Sequence, residues 1–357
     1  VIVTLIPTLF PALYTITFNE TLIDKIGILD NPVEPFETGF YFISVVTINI
    51  IIFSGILISK IKKFHFSFYY NISKRKTTYA MIILLVIFSG MSYQNILSED
   101  KHMDWRQVEG NLEGWGGDRL LTYEVHIRKL LLISSDYIFG NFSVIPFLAS
   151  AALLVSTYAF TSKIANNRLA GLISTCFMLQ SNLFISFSSI PTYTIFWVLF
   201  YLISTYAIIH KNWFISPISY VLAIFSKPIV VVFLPLTIFF VLNSKIQKKN
   251  KIIIISILLG IVSSGAYFAI GDNPSMFEGF DFNDFMIGFT SFSYQMRFDW
   301  LSVVFLFPII GGLFLISKNN TCANSISIMI SGILLSAPLL VGMTDITSQP
   351  YRFIPLV

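Results

Sequence analysis

Residues 98–128 read SEDKHMDWRQVEGNLEGWGGDRLLTYEVHIR. This is the most polar stretch of a chain that is otherwise nearly all apolar runs. It carries seven carboxylates: Glu99, Asp100, Asp104, Glu109, Glu113, Asp118 and Glu124. Trp105 and Trp115 stand among them. A helix needs about 20 apolar residues to cross a bilayer, and runs of that kind lie on both sides of the stretch. An acidic segment between two such runs reads as a water-facing loop, and the place to look for acid/base chemistry.

The 357-residue chain is 55% hydrophobic and 12% charged, against roughly 25% charged in a soluble domain. Its mean hydropathy is +0.76. This composition predicts an all-α, polytopic integral membrane protein, and 36 Phe suit helices that face lipid and interface. The net charge of +4 comes from lysines in short loops between apolar runs, which argues against a nucleic-acid partner. Cys176 and Cys322 have no CxxC or Cys/His spacing around them and read as small apolar core residues. The chain begins on Val1 and ends on Val357 inside an apolar run, which reads as a piece of a longer protein.

Apolar runs fall at 1–17, 39–59, 78–97, 137–160, 169–186, 191–209, 213–243, 252–270, 300–316, 325–343 and from 351 onward. The run 213–243 is long enough to cross twice around Ser226-Lys227-Pro228. The total is about 11–12 transmembrane helices. Two of these, in 1–77, precede a core at 78–357. Loop charge tests the order. Loops 60–77, 161–168, 210–212, 244–251 and 317–322 are basic and hold no acid. The alternate loops hold nearly all the acids. By the positive-inside rule the basic set is cytoplasmic and the acidic set extracytoplasmic, in the cell membrane if the source is prokaryotic. Asn19-Glu20-Thr21 is a glycosylation sequon on the outer side, of a kind that also arises by chance.

Residues 119–133, RLLTYEVHIRKLLLI, predict an interfacial helix. Arg119, Thr122, His126 and Lys129 form one polar stripe, leucines and isoleucine another, and Glu124 and Arg128 form an i, i+4 pair. Such a helix lies on a membrane rather than across it. Gly110, Gly114, Gly116 and Gly117 before it predict a tightly turned or flexible loop. The segment 271–299 mixes five acids with Phe277, Phe280, Phe282, Phe285 and Phe289, and is expected to pack on the membrane or over a cavity as a lid.

Asp100, Asp104 and Asp118 are the strongest carboxylates for general-base work on an acceptor hydroxyl, each beside an aromatic or basic residue. Lys227 is the clear ionisable residue between two short apolar runs, and Pro228 breaks the helix after it. Arg297 and Arg352 fall on the same side as the acids and suit bidentate phosphate recognition. His102 and His126 also share that side. No Walker motif, Rossmann glycine pattern or HExxH occurs.

The layout resembles the C-type glycosyltransferase superfamily, whose members include protein mannosyltransferases and lipid A aminoarabinose transferases. The similar pieces are Gly117-Asp118 with Tyr123-Glu124 ahead of the interfacial helix, Ile138-Phe139-Gly140, Arg168-Leu169-Ala170-Gly171-Leu172, Ser226-Lys227-Pro228 and Tyr351-Arg352-Phe353-Ile354-Pro355. Departures are Arg119 in place of an acid after Asp118, and no acid in Ser188-Ser189-Ile190-Pro191-Thr192-Tyr193. The resemblance implies sugar transfer from a polyprenyl-phosphate donor to an acceptor on the outer face. Asp118 or Asp104 would then be the base, with Asp100 beside them. Lys227, Arg352 and Arg297 would hold donor phosphate. Trp105, Trp115, Glu124, His126 and Tyr351 would line the substrate. The lipid chain would lie in a groove between spans. No organic cofactor is implied; a divalent metal stays open. A transporter or flippase, which also uses broken helices, and a non-catalytic membrane assembly subunit are the alternatives.

Overall fold

The computed structural model describes residues 72–97, 105–115 and 125–272, with isolated positions at 51–55, 280–285 and 326–332. The chain divides into two compact units, Tyr70–Pro274 and a second made of Val1–Tyr69 with Ser275–Val357. Among the described residues every regular element is helical. In the second unit, the Phe285 ring packs on both Phe280 and Phe282, at 5.4 and 6.3 Å. Apart from those isolated positions, the Phe-rich stretch past Asp272 and the apolar runs at 1–17, 39–59 and beyond 300 lie outside the described residues.

The first unit opens with α1 (Lys74–Leu97). Its buried positions Met81, Phe88 and Ser92 fall on one face, and Phe88 stacks on Phe147 and Phe184. Its other face leaves Ile82, Ile83, Val86, Ile87 and Met91 between 46% and 65% exposed. A short helix, α2 (Trp105–Glu113), follows inside the polar stretch, where a loop is expected from the glycines. Gly110 lies within it.

The predicted interfacial helix is α3 (His126–Phe139). It begins seven residues later than Arg119 and continues past residue 133; residues 119–124 lie outside the described residues. Its polarity also differs from the predicted stripe. Lys129, Leu132 and Ser135 form the buried face, while Leu130, Tyr137 and Ile138 are exposed. The polar groups turn inward because partners wait there: Ser135 donates to the Asn141 carbonyl at 2.6 Å and accepts from the Ile145 amide. Gly140 ends the helix at φ +63°, a left-handed position suited to glycine.

Next come α4 (Val144–Ala165) and α5 (Arg168–Gln180), joined by Asn166 at φ 50° and capped by Asn167, whose side chain accepts from the Leu169 amide. Gly171 lets the two helices cross closely. A Cβ there would stand 2.0 Å from Ser162 Oγ and 2.7 Å from the Tyr158 carbonyl. The expected run 169–186 is broken at Ser181, whose hydroxyl accepts from the Phe184 amide and starts α6 (Asn182–Phe187).

α7 (Phe196–Ile209) and α8 (Ile215–Ser226) form a second hairpin, bonded by Ser204 to Ser216. Lys227 is then extended, and the 3-10 helix Pro228–Phe233 leads into α9 (Leu234–Asn243). The Tyr220 hydroxyl donates to the Val230 carbonyl at 2.9 Å. Seven helical residues from Tyr220 to Lys227 cover about 10 Å, and three more of 3-10 helix add about 6 Å. A tyrosine cannot reach that far, so the chain doubles back at Lys227, as the reading of 213–243 as two short segments requires. α10 (Lys248–Asp272) closes the described fold.

Helix direction sorts the unit into two ends. Ser92 meets Ser188 at 3.1 Å, Ser150 donates to the Ser188 carbonyl, and Asn141 donates to the Ile96 carbonyl at 2.9 Å. The end of α1, the start of α4 and the 188–195 loop therefore share one end. At the other, Arg168 donates to the Ile72 carbonyl at 3.2 Å and Lys251 to the Leu242 carbonyl at 2.6 Å. α1 and α4 are long and apolar enough to cross a membrane, and α7, α8 and the Pro228–Asn243 segment are shorter apolar helices.

Candidate functional site

The polar stretch and the helix break meet at the first of these ends. Trp115 lies two residues past α2, and its indole N–H donates to Nδ1 of His126 at 3.4 Å. His126 in turn stacks against Phe225, ring centroids 6.2 Å apart and planes 30° from parallel. Phe225 is two residues before Lys227, which is half-buried at the chain reversal. Two side-chain contacts thus link the end of α2 to the last turn of α8, just ahead of Lys227. Because Nδ1 accepts from Trp115, a neutral His126 carries its proton on Nε2, leaving that nitrogen a donor.

Trp105 plays a separate part. Its ring sits edge-on to Phe142 at 5.3 Å, in the turn after α3. The two tryptophans therefore pin α2 near opposite ends of α3. In sequence, Asp104 directly precedes Trp105, and Asp118 follows Trp115 by three residues.

The expected site residues Asp100, Asp104, Asp118, Glu124, Arg297, Tyr351 and Arg352 lie outside the described residues, as does His102. Of the expected set, the structure brings Trp115 and His126 together beside the Lys227 break, and puts Trp105 against the α3–α4 turn. Two participants were not expected. Phe225, in the last turn of α8, supplies the ring against which His126 stacks. Arg128, expected to pair with Glu124, donates to the carbonyls of Pro191 and Thr192 at 3.3 and 2.5 Å. These partners are 63 and 64 residues away, and no local pattern announces them.

The loop that Arg128 holds is buried, with Ser188, Ser189, Thr192 and Thr194 all below 5% exposed. It is also where the family resemblance leads one to expect an acid. Here serine hydroxyls and an arginine-bound backbone occupy that place instead. The Ser189 hydroxyl is buried without a hydrogen-bond partner among the described residues.

A groove of about 370 Å³ lies elsewhere, between α1 and the α5–α6 break. It is lined by Leu84, Ile87, Met91, Cys176, Leu179 and Ile185, with Gln180 and Ser181 at its polar edge. Cys176 is half-buried there rather than a core residue. The lining suits an apolar chain and no acid/base chemistry. Among the described residues no group of three His, Cys, Asp or Glu could hold a metal ion. Compared with known proteins, the chain matches no family model, no curated protein and no solved structure.

Proposed function

We propose that the chain is a multi-pass membrane glycosyltransferase that moves a sugar from a polyprenyl-phosphate donor to an acceptor on the extracytoplasmic face. The single observation that supports it best is the Trp115–His126–Phe225 set of contacts at the last turn of α8, two residues before the Lys227 reversal. Transfer of this kind needs a cation where the leaving phosphate gains charge. It also needs a carboxylate base over the acceptor, and ring faces and donors for the sugar. Lys227 is the phosphate cation, with Arg352 and Arg297 in support. Asp104, directly before Trp105, or Asp118, three residues after Trp115, is the base, with Asp100 near. Trp115 and His126 line the place of the sugar. The apolar groove on α1 takes the lipid chain.

Multi-pass insertion is part of the same proposal. It is supported by the exposed aliphatic face of α1, by helices that run alternately up and down, and by the gathering of Lys and Arg at one end. Such an apolar exterior suits hydrocarbon better than water.

The test is sugar release from a polyprenyl-phosphate donor by membranes carrying the full-length protein. Asp118→Asn or Asp104→Asn should slow turnover about 10²–10⁴-fold with donor binding intact. Lys227→Ala should weaken donor binding. Transfer unchanged in both Asp variants rejects the base assignment. No donor binding in the wild type rejects the transferase. The extended break at Lys227 also suits a transporter or flippase, and donor translocation without sugar release would favour that reading. An assembly subunit would show neither.

A further inference from the structure

The end of the unit opposite Lys227 gathers ten cations: Lys74, Arg75 and Lys76 at the start of α1, Lys163 and Arg168 at the α4–α5 turn, Lys211 at the α7–α8 turn, and Lys245, Lys248, Lys249 and Lys251 before and within α10. The segments that form this end contain no Asp or Glu. Three of the groups fall in the first turns of α1, α5 and α10, where the helix dipole is already positive and acids are the favourable residues. The charge is therefore concentrated rather than compensated within the fold.

The α7–α8 turn adds a second, independent feature. Trp213, Phe214 and Ile215 are 39%, 61% and 43% exposed. The turn is held rigidly: the Asn212 amide donates to the Ala207 carbonyl at 2.9 Å, and the Asn212 side chain accepts from the Phe214 and Ile215 amides. Lys211 occupies its left-handed position at φ 59°, where glycine or asparagine is favoured. The equivalent turn after α4 uses Asn166. A lysine is thus kept at a place where it costs backbone strain, beside two exposed aromatic rings.

We infer that this end is a docking surface for anionic phospholipid headgroups, with the cations on the phosphates and Trp213 and Phe214 at the headgroup–acyl boundary. Charge complementarity selects the partner, since basic clusters at a membrane edge attract anionic lipid. Aromatic rings with one apolar and one wet side settle at that boundary. The inference rests on the membrane-spanning part of the proposal above and not on sugar transfer.

The experiment reconstitutes the full-length chain in bilayers of equal phosphatidylcholine and phosphatidylglycerol. The protein is extracted gently and its retained lipid counted by mass spectrometry. Phosphatidylglycerol should be enriched severalfold over the bilayer ratio. The enrichment should fall in a variant carrying Lys211→Gln, Lys245→Gln, Lys248→Gln and Lys249→Gln, and persist when the same four become Arg. Lys211→Gly should raise Tm while lowering enrichment, a split that a merely structural lysine would not give. Equal retention of the two lipids by the wild type overturns the inference, as does enrichment undiminished in the Gln variant. Displacement of the lipid by excess glycerophosphate would show a site for free phosphate instead. A chain that does not float with vesicles rejects membrane spanning as well; one that floats without enrichment rejects this inference alone.

Discussion

The guanidinium of Arg128 donates to the Thr192 carbonyl at 2.5 Å. That one bond, with its companion to Pro191, ties α3 to the buried loop that starts α7. A buried carbonyl left without a donor costs about 1–3 kcal/mol. Arg128→Ala takes the arginine donor away from two of them. It should destabilise the protein by several kcal/mol, read as a loss of 188–195 amide protection in hydrogen exchange. Both bonds leave the same Nη2; Arg128→Lys keeps a charged donor on a different, non-planar head, and should fall between. Unchanged exchange in the Ala variant would show that the loop holds itself.

Gly171→Ala is a packing test. The new methyl has no room between α5 and the Tyr158–Ser162 stretch of α4, so the helices must separate. Overpacking of this kind costs about 1–3 kcal/mol. The matched control is Gly90→Ala, where nothing lies within 4 Å of the added Cβ and helix propensity favours Ala. A Tm lowered only by the first change is expected. Equal shifts would mean that the α4–α5 crossing is loose.

Trp115→Phe keeps a ring but removes the N–H that holds His126. One neutral hydrogen bond contributes about 0.5–1.5 kcal/mol, so stability should change little. If the proposed site is right, turnover should fall more than stability does, because His126 loses its fixed tautomer and orientation. Restored turnover is not expected from Trp115→Tyr, whose hydroxyl lies at a different place on the ring. Full activity in Trp115→Phe would remove the clasp from the mechanism.

Orientation can be read directly. In a background with Cys176→Ser and Cys322→Ser, cysteines are placed at Gly114 and Gln247, both exposed and at opposite ends of the unit. An impermeant thiol reagent added to intact cells should label position 114 and spare position 247. The reverse pattern would turn the whole arrangement over and put the acidic stretch in the cytoplasm.

Local chemistry explains what could be read in advance. Pro228 lacks an amide hydrogen, so the break at Lys227 was legible; the turn expected at Arg168-Leu169-Ala170-Gly171-Leu172 falls instead at Asn166-Asn167, and Gly171 lies inside α5 at the helix crossing. Helical content followed from long apolar runs. The inward turn of Lys129 was not legible, since periodicity names a polar face without saying which side carries partners. The split at Ser181 left only a capping serine inside an apolar run, which reads equally well as a continuous helix. Helix α2 was hidden because its glycine and charges weigh against a helix, whereas the Trp105–Phe142 contact that anchors it is long-range. Phe225 carried no signal at all, being one aromatic among 36 Phe.

The six residues Pro228–Phe233 have a consequence for phase. A 3-10 helix turns 120° per residue and an α-helix 100°, so six residues wind about 120° further than α-helix would. The face that α9 presents is therefore set by the length of this insert as well as by its own sequence. Thr237 meets the Tyr201 hydroxyl at 3.3 Å in that setting. Deleting one residue from the insert would swing Thr237 about a third of a turn away and bring an apolar neighbour against the tyrosine. The segment behaves as a gear with a fixed tooth count: its side chains can be exchanged for others of similar size, but its length cannot change without turning everything that follows.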